Sequence, residues 1–437
     1  MSKAMGPIAE SPQIVRVSET PISAGFDWRN AVQIAVVTVG IVALLFHRNA
    51  TLFTHPQFWA EDLFVYFIDD RLFGASALVE PYNGYVQISC RLIAFLAGFA
   101  PPEWAPSLYA AMFVGVVAAT AAVVYTSPAF HGWWKCVAAL VLLASPTDSE
   151  VFFGMCYTQW VMAPVVALAL YETPKSATRM VVLLVWFASV GLSSPFTLIA
   201  TPFVLYKWAT ERTRYATVLS AAAVAIAVIQ LHDVWQRFAE SPRTGSSFER
   251  GSAAFTMLYR WAVGSQYPGV VTAVTISTIV AIVAVCYLWL YRRTGQRAII
   301  YVLVYGLVLL VTGCLPIDPA LQPNQFGAGA RYFYLPAVFI VWTILILQQT
   351  APRHGTISIA VVVFGFAAMY LAHVKPASIH YKDTAWPATA ACLKTETICK
   401  SGLNPYIIGS VYVPTDQQLR DMTLNQRRSF QKTARIP

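Results

Sequence analysis

Eleven long apolar stretches divide this chain, at residues 31–46, 104–125, 133–144, 157–171, 180–192, 196–206, 216–231, 270–291, 298–315, 333–347 and 357–372. In lipid such a stretch has one backbone solution, because every N–H and C=O must be paired within the segment, so each reads as an α-helix. Composition agrees. Of 437 residues, 57% are apolar and 12% charged, against about 25% charged in a soluble domain, and mean hydropathy is +0.56. So few charges cannot clothe a water-soluble chain of this length, which excludes a soluble enzyme. The expected fold class is an all-α polytopic membrane protein with about eleven transmembrane helices.

The placement of the basic residues sets the orientation. The net charge of +9 reads as the basic bias of cytoplasmic loops rather than as a nucleic-acid surface. Residues 1–30 are polar and carry Pro7, Pro12 and Pro21. They lack a short apolar core with a small-residue cleavage site, so 31–46 reads as an uncleaved anchor. The stretch 86–99 competes for the role of a twelfth span. Its Ile88, Leu92, Phe95 and Phe99 recur at helical spacing, however, with Gln87, Arg91, Ala94 and Gly98 on another side. That is the pattern of an interfacial helix, and an arginine in mid-bilayer is costly.

With that choice Lys135, Lys175, Arg179, Lys207, Arg212, Arg214, Arg292, Arg293, Arg297 and Arg353 share one side, which the positive-inside rule makes cytoplasmic. The chain then divides into a cytoplasmic segment 1–30, a transmembrane domain 31–374 containing external loop 47–103, and an external tail 375–437. Loops 145–156, 232–269 and 316–332 are external as well. The tail reads as a small cap or an irregular segment. Its Cys392 and Cys399 form a disulfide or remain two thiols; the other cysteines lack metal-ligand spacing. Asn49-Ala50-Thr51 is a formal glycosylation sequon.

Apart from Lys135 at the very start of 133–144, these spans hold no Asp, Glu or Lys, which argues against a proton-coupled carrier. The acids gather in the external loops. The first contains Trp59-Ala60-Glu61-Asp62, then Tyr66, Asp69 and Asp70. If 57–70 is helical, Asp62, Tyr66 and Asp69 share a face and Glu61 points elsewhere. A carboxylate among aromatic residues at a membrane surface gains proton affinity and suits general-base work. Further on, Pro81 and Gly84 frame a turn, and Tyr82 and Tyr85 offer faces for a sugar ring or anchors for headgroups. Arg91 is placed to clamp a phosphate or to snorkel towards ordinary lipid.

The second external loop contains Asp148-Ser149-Glu150, followed by Tyr157, Gln159 and Trp160. The Asp148/Glu150 pair suits a divalent cation or sugar hydroxyls. Gly327-Ala328-Gly329-Ala330 precedes Arg331 and Tyr332, so backbone N–H groups and a guanidinium are available to a phosphate. Arg260 is a weaker candidate of the same kind.

The first-loop acidic motif Glu61-Asp62, the interfacial helix behind it and the second motif Asp148-Ser149-Glu150 resemble the large membrane-embedded glycosyltransferases of the GT-C class. The phrase W-A-E-D, then P-Y-N-G-Y, then R-L between Trp59 and Leu92 is similar to bacterial members of that class. The likeness covers mainly residues 30–335, and only the first loop is fairly specific. It implies an enzyme that moves a sugar from a polyprenyl-phosphate carrier to a glycan, lipid or protein acceptor, with inversion, on the external face of a bacterial plasma membrane. It implies that Asp62, with Glu61 beside it, is the base and that Arg331 and Arg91 face the lipid phosphate. The acids stand in the order Glu-Asp, the reverse of several members, and the tail matches no acceptor-binding domain of the class. A non-catalytic carrier of lipid-linked saccharide and a polysaccharide ligase or polymerase are the competing readings.

Overall fold

A computed structural model describes residues 28–82, 85–145, 147, 149–240, 331–350, 370, 383–394, 399–402 and 410–434. The expected spans 270–291, 298–315 and 357–372, and the segment before Trp28, lie outside these residues apart from Tyr370. What is described is mostly helical. Three helices are long and apolar enough to cross a membrane: Trp28–Arg48, Pro102–Tyr125 and Arg214–Asp233. The number eleven is therefore not reached among the described residues.

Helix α1 (Trp28–Arg48) has 21 residues, about 31 Å of helix and so close to one hydrocarbon thickness. A π-helical turn (Asp62–Phe67) runs into α2 (Ile68–Phe73), and α3 (Ile88–Ala97) follows. Helix α4 (Ala105–Tyr125) opens with a proline in its first turn, where no N–H is missed. Helix α5 (Trp134–Ala144) packs on both α1 and α4. The α1–α5 contact is close: a Cβ at Gly40 would meet Leu140 at 2.6 Å, the usual benefit of a small residue between membrane helices.

The stretch 157–171 is one short apolar helical stretch, interrupted only at Ala163 between α6 (Thr158–Met162) and α7 (Pro164–Tyr171), where Pro164 has no N–H to continue the ladder. Nearly all its side chains are buried, so these two helices form the centre of the bundle. Helices α8 (Ala177–Ser193), α9 (Phe196–Glu211) and α10 (Arg214–Glu240) wrap it, and α11 (Arg331–Thr350) closes the side next to α5. Outward apolar side chains such as Val39, Val181, Val185 and Val228 remain exposed, as lipid-facing surfaces do.

Hydrogen bonds sort the helix ends. At one end the hydroxyl of Tyr125 bonds Asn30 Oδ1 at 2.6 Å, Arg179 clasps Glu172 at 2.5 and 2.8 Å, Ser127 bonds the same carboxylate at 2.6 Å, and Gln349 reaches Ala129 O at 3.2 Å. Lys207 pairs there with Glu211 at 2.7 Å. The far end gathers the end of α1, the beginnings of α4 and α11, and the segment after α5. Helix α3 does not exchange the ends: Gln57 before it and Pro102 after it both bond the C-terminal segment. Its ten residues, about 15 Å of helix, are also too short to cross. The expected split of faces holds in part: Gln87, Arg91 and Ala94 are buried and Leu92 and Phe99 exposed, whereas Ile88 and Phe95 are half-buried and Gly98 is exposed.

The C-terminal segment is an ordered cap rather than an irregular tail. Helix α12 (Trp386–Leu393), the antiparallel pair β1 (Cys399–Gly402) and β2 (Ser410–Val413), α13 (Asp416–Asp421) and α14 (Leu424–Ala434) follow one another. Thr415 and Gln418 cap α13 reciprocally. Cys392 and Cys399 form a disulfide with Cα atoms 5.8 Å apart. Trp386 inserts edge-on against Phe58 and Phe67, and Arg71 meets Asp416 at 2.6 Å, so the cap sits on the first long loop.

Candidate functional site

Two polar residues at the end of α1 build the floor of the site. The buried Arg48 donates to three carbonyls at and just beyond the end of α5, to Leu143 at 2.8 Å, Thr147 at 2.5 Å and Ser145, with its guanidinium over the rings of Phe152 and Tyr370. The amide of Asn49 donates to Phe152 O at 2.9 Å. Together they fix the segment that carries Glu150. Asn49 is fully buried, so the sequon it begins is closed in the folded protein. Sequence reasoning passed over Arg48, although a basic residue at a span end expected to be external runs against the positive-inside bias and was a usable signal.

Asp62 begins the π-helical turn and is 2% exposed. Its Oδ1 accepts the Cys156 N–H at 2.9 Å and its Oδ2 the Trp59 N–H at 3.3 Å. Gly154 leaves room for this: a Cβ there would strike the Asp62 carboxylate and come within 3.0 Å of Trp59 Cβ. Among the described residues no cation pairs with Asp62, and burial pushes its carboxyl up to about 7, against the two backbone donors. Asp62, Tyr66 and Asp69 are buried and Glu61 is partly exposed, but every residue from 62 to 69 is buried, 62–67 is a π-helical turn and 57–59 is not helical, so the face expected from α-helical spacing is not singled out. Burial also raises Glu61, countered by the Arg331 guanidinium and reinforced by the charge of Glu150. Glu61, Glu150 and Arg331 thus share one electrostatic neighbourhood.

Glu150 and Arg331 are joined directly. The carboxylate takes the Arg331 guanidinium at 2.6 Å and the Arg331 backbone N–H at 3.0 Å. Glu150 therefore occupies the N-terminus of α11, where a phosphate was expected. The hydroxyl of Tyr157 lies 3.5 Å from the same guanidinium. Both Glu150 oxygens are engaged by positive groups, a poor start for a divalent-cation site, and among the described residues no group of three His, Cys, Asp or Glu side chains is arranged around a metal position.

The other candidates separate. Arg91 is neither a phosphate clamp nor a snorkelling residue. Its guanidinium is buried on Asp69, at 3.1 and 3.2 Å, and its Nε donates to Val86 O at 2.9 Å. Tyr82 and Tyr85 face each other across a tight backbone bridge and are only partly exposed. Gln159 accepts the Cys90 thiol at 3.5 Å. Asp148, Arg260, the turn residues Asn83 and Gly84, and Gly327–Ala330 lie outside the described residues, as does the side chain of Tyr332.

The fold and site define a helical membrane-type protein in which a buried Asp62 and a partly exposed Glu61 stand in a long loop that also carries an ordered C-terminal cap. Compared with known proteins, the chain matches no family model, no curated protein and no solved structure.

Proposed function

We propose that this protein is a membrane glycosyltransferase that takes a sugar from a polyprenyl-phosphate carrier at the external face of a bacterial plasma membrane. Its acceptor is a glycan, a lipid or a protein. The acceptor hydroxyl attacks the anomeric carbon, the bond from that carbon to the phosphate oxygen breaks, and the polyprenyl phosphate leaves. The hydroxyl proton passes to a first-loop carboxylate. The leaving group is already good, so one base and one positive phosphate partner suffice.

The observation that supports this reading best is the partly exposed Glu61, whose carboxyl is raised by burial beside the buried Asp62 and within the field of Arg331. Raised proton affinity on a reachable carboxylate is what a general base needs. Reach divides the pair. Asp62 has both oxygens on backbone N–H groups, so Glu61 receives the proton while Asp62 holds the Trp59 and Cys156 backbones around it. This reverses the order of importance expected from the resemblance.

Arg331 binds the donor phosphate, and Glu150 holds that place until the donor arrives. Arg91 is assigned no phosphate, because Asp69 already saturates it. The disulfide in the cap supports an external position for that end of the bundle.

Lipid-linked sugars extracted from cells with and without the gene test the reading. Accumulation of a polyprenyl-phosphate sugar together with loss of one glycan decoration is the expected result. An unchanged lipid-linked pool and an unchanged glycan would remove it.

A further inference from the structure

A cavity of about 390 Å³ lies between α2, the corner from α3 to α4, and α13 of the cap, within the size range of small-ligand sites. Phe67, Phe95, Phe99 and Tyr109 give it aromatic walls, and Asp70 and Arg71 supply its charge. Three polar groups on these walls lack the partners their burial calls for. The Tyr109 hydroxyl is buried with no hydrogen bond, and so is Arg71 Nε. Asp70 has no hydrogen-bond or ion-pair partner among the described residues. Arg71 is committed elsewhere, to Asp416 at 2.6 Å and Pro414 O at 3.2 Å, so it eases the charge of Asp70 only through space and without a hydrogen bond.

From this arrangement we infer that the cavity binds a primary ammonium group, with the Asp70 carboxylate and the Tyr109 hydroxyl oxygen accepting its N–H donors. The alternatives fit less well. An anion would meet both Asp70 and Asp416. A purely apolar occupant would leave Asp70 and Tyr109 buried against carbon, which is costly. A cation satisfies both and gains from the ring faces, as Arg71 already does over Phe67 at 5.6 Å. Asp70 is pushed up to about 6, chiefly by burial and against the pull of Arg71, so at pH 7 it is mostly ionised and able to pair. Room for the carboxylate comes from Gly98, where any side chain would collide with Asp70 Oδ2.

The rim indicates where the amine comes from. Phe99 is 76% exposed, and the exposed Leu92 and Leu96 continue the same apolar edge along α3. An amphiphile whose tail lies on that edge presents its headgroup to the cavity, and the ethanolamine headgroup of a phospholipid has this shape. A soluble amine or an amino sugar carries the same chemistry without the tail. The site is separate from the acid pair yet adjacent to it, since Tyr109 feels the charges of both Asp70 and Asp62. The inference does not depend on the proposed transfer reaction.

Native mass spectrometry of the full chain in detergent, with phosphatidylethanolamine or phosphatidylglycerol added, tests it. We expect retention of the ethanolamine lipid about tenfold above the glycerol lipid, and that preference to vanish in D70N. Soluble ethanolamine, followed by ligand-observed NMR on protein in phosphatidylglycerol nanodiscs, distinguishes the sources. Binding there without a lipid preference identifies a soluble amine. A97F, which fills the cavity without touching its charge, should abolish either form of binding and guards against misreading a D70N folding defect. Equal retention of the two lipids together with no ethanolamine binding overturns the inference. So does glycerol competing as well as ethanolamine, or binding that survives both substitutions.

Discussion

Asp69 takes both terminal nitrogens of Arg91 on one carboxylate oxygen, at 3.1 and 3.2 Å, and offers the other to Gln431 at 2.9 Å. One acid thus joins the first long loop, the short helix behind it and the last helix of the chain. Both charged side chains are almost wholly removed from solvent. Removing one partner strands the other in low dielectric, at a cost of about 3–5 kcal/mol. R91A should therefore lower the unfolding temperature in detergent sharply and expose the cap to trypsin. Replacing both residues with apolar ones of similar size should recover most of the stability. A melting curve for R91A that overlays the parent curve would show that the pair contributes nothing.

This pair also marks the limit of what the sequence conveys. Apolar runs and helical spacing made the helices and the short α3 readable. Those are local properties of the chain. Arg91 looked like a phosphate ligand because neither Asp69, 22 positions away, nor Gln431 beyond it is marked as a partner by any pattern. The tail read as a cap or an irregular segment, and no local pattern decided between them. It has no long apolar run of its own and is ordered by Trp386 packing into the first loop. The break at Pro164, by contrast, was visible in the residue itself.

Acid–base behaviour gives two linked expectations. Glu61 is raised by burial, so transfer should increase with pH along an acid limb lying above the ordinary carboxylate value of about 4. E61Q should flatten that limb and lower kcat by about 10²- to 10⁴-fold while leaving donor binding in place. If E61Q keeps both the limb and the rate, another group is the base.

Asp62 affects stability in the opposite direction from a paired acid. Its folded value of about 7 exceeds its ordinary 3.8, so between those values the native state holds more protons than the unfolded one. Stability therefore falls as pH rises through that window and levels off above it. Thermal unfolding in detergent from pH 5 to 8 should show this fall in the parent protein, and D62N should remove it. A parent protein equally stable across the range would mean that Asp62 ionises without cost.

The bond between Cys392 and Cys399 closes a ring of eight residues, the two cysteines being seven positions apart. Chain-entropy reasoning assigns such a closure about 2 kcal/mol. Reduction, or the double change C392S/C399S, should speed proteolysis within the cap. The bundle, whose packing does not involve the bond, should melt as before. Parallel loss of both would show that the cap and bundle unfold together.

Glu150 and Arg331 provide the last test, because they distinguish a placeholder from a strut. As a placeholder, Glu150 competes with the donor phosphate for the same guanidinium and the same helix N-terminus. E150Q keeps the shape but weakens the charge-assisted contact, so a polyprenyl phosphate should bind about 5- to 10-fold more tightly, measured by native mass spectrometry. R331A should lose that binding, and R331K should recover little of it, since a point charge does not replace the planar fork. If Glu150 is instead a strut that aims Arg331, E150Q will weaken binding alongside R331A. The sign of the E150Q effect decides between the two roles, whatever its size.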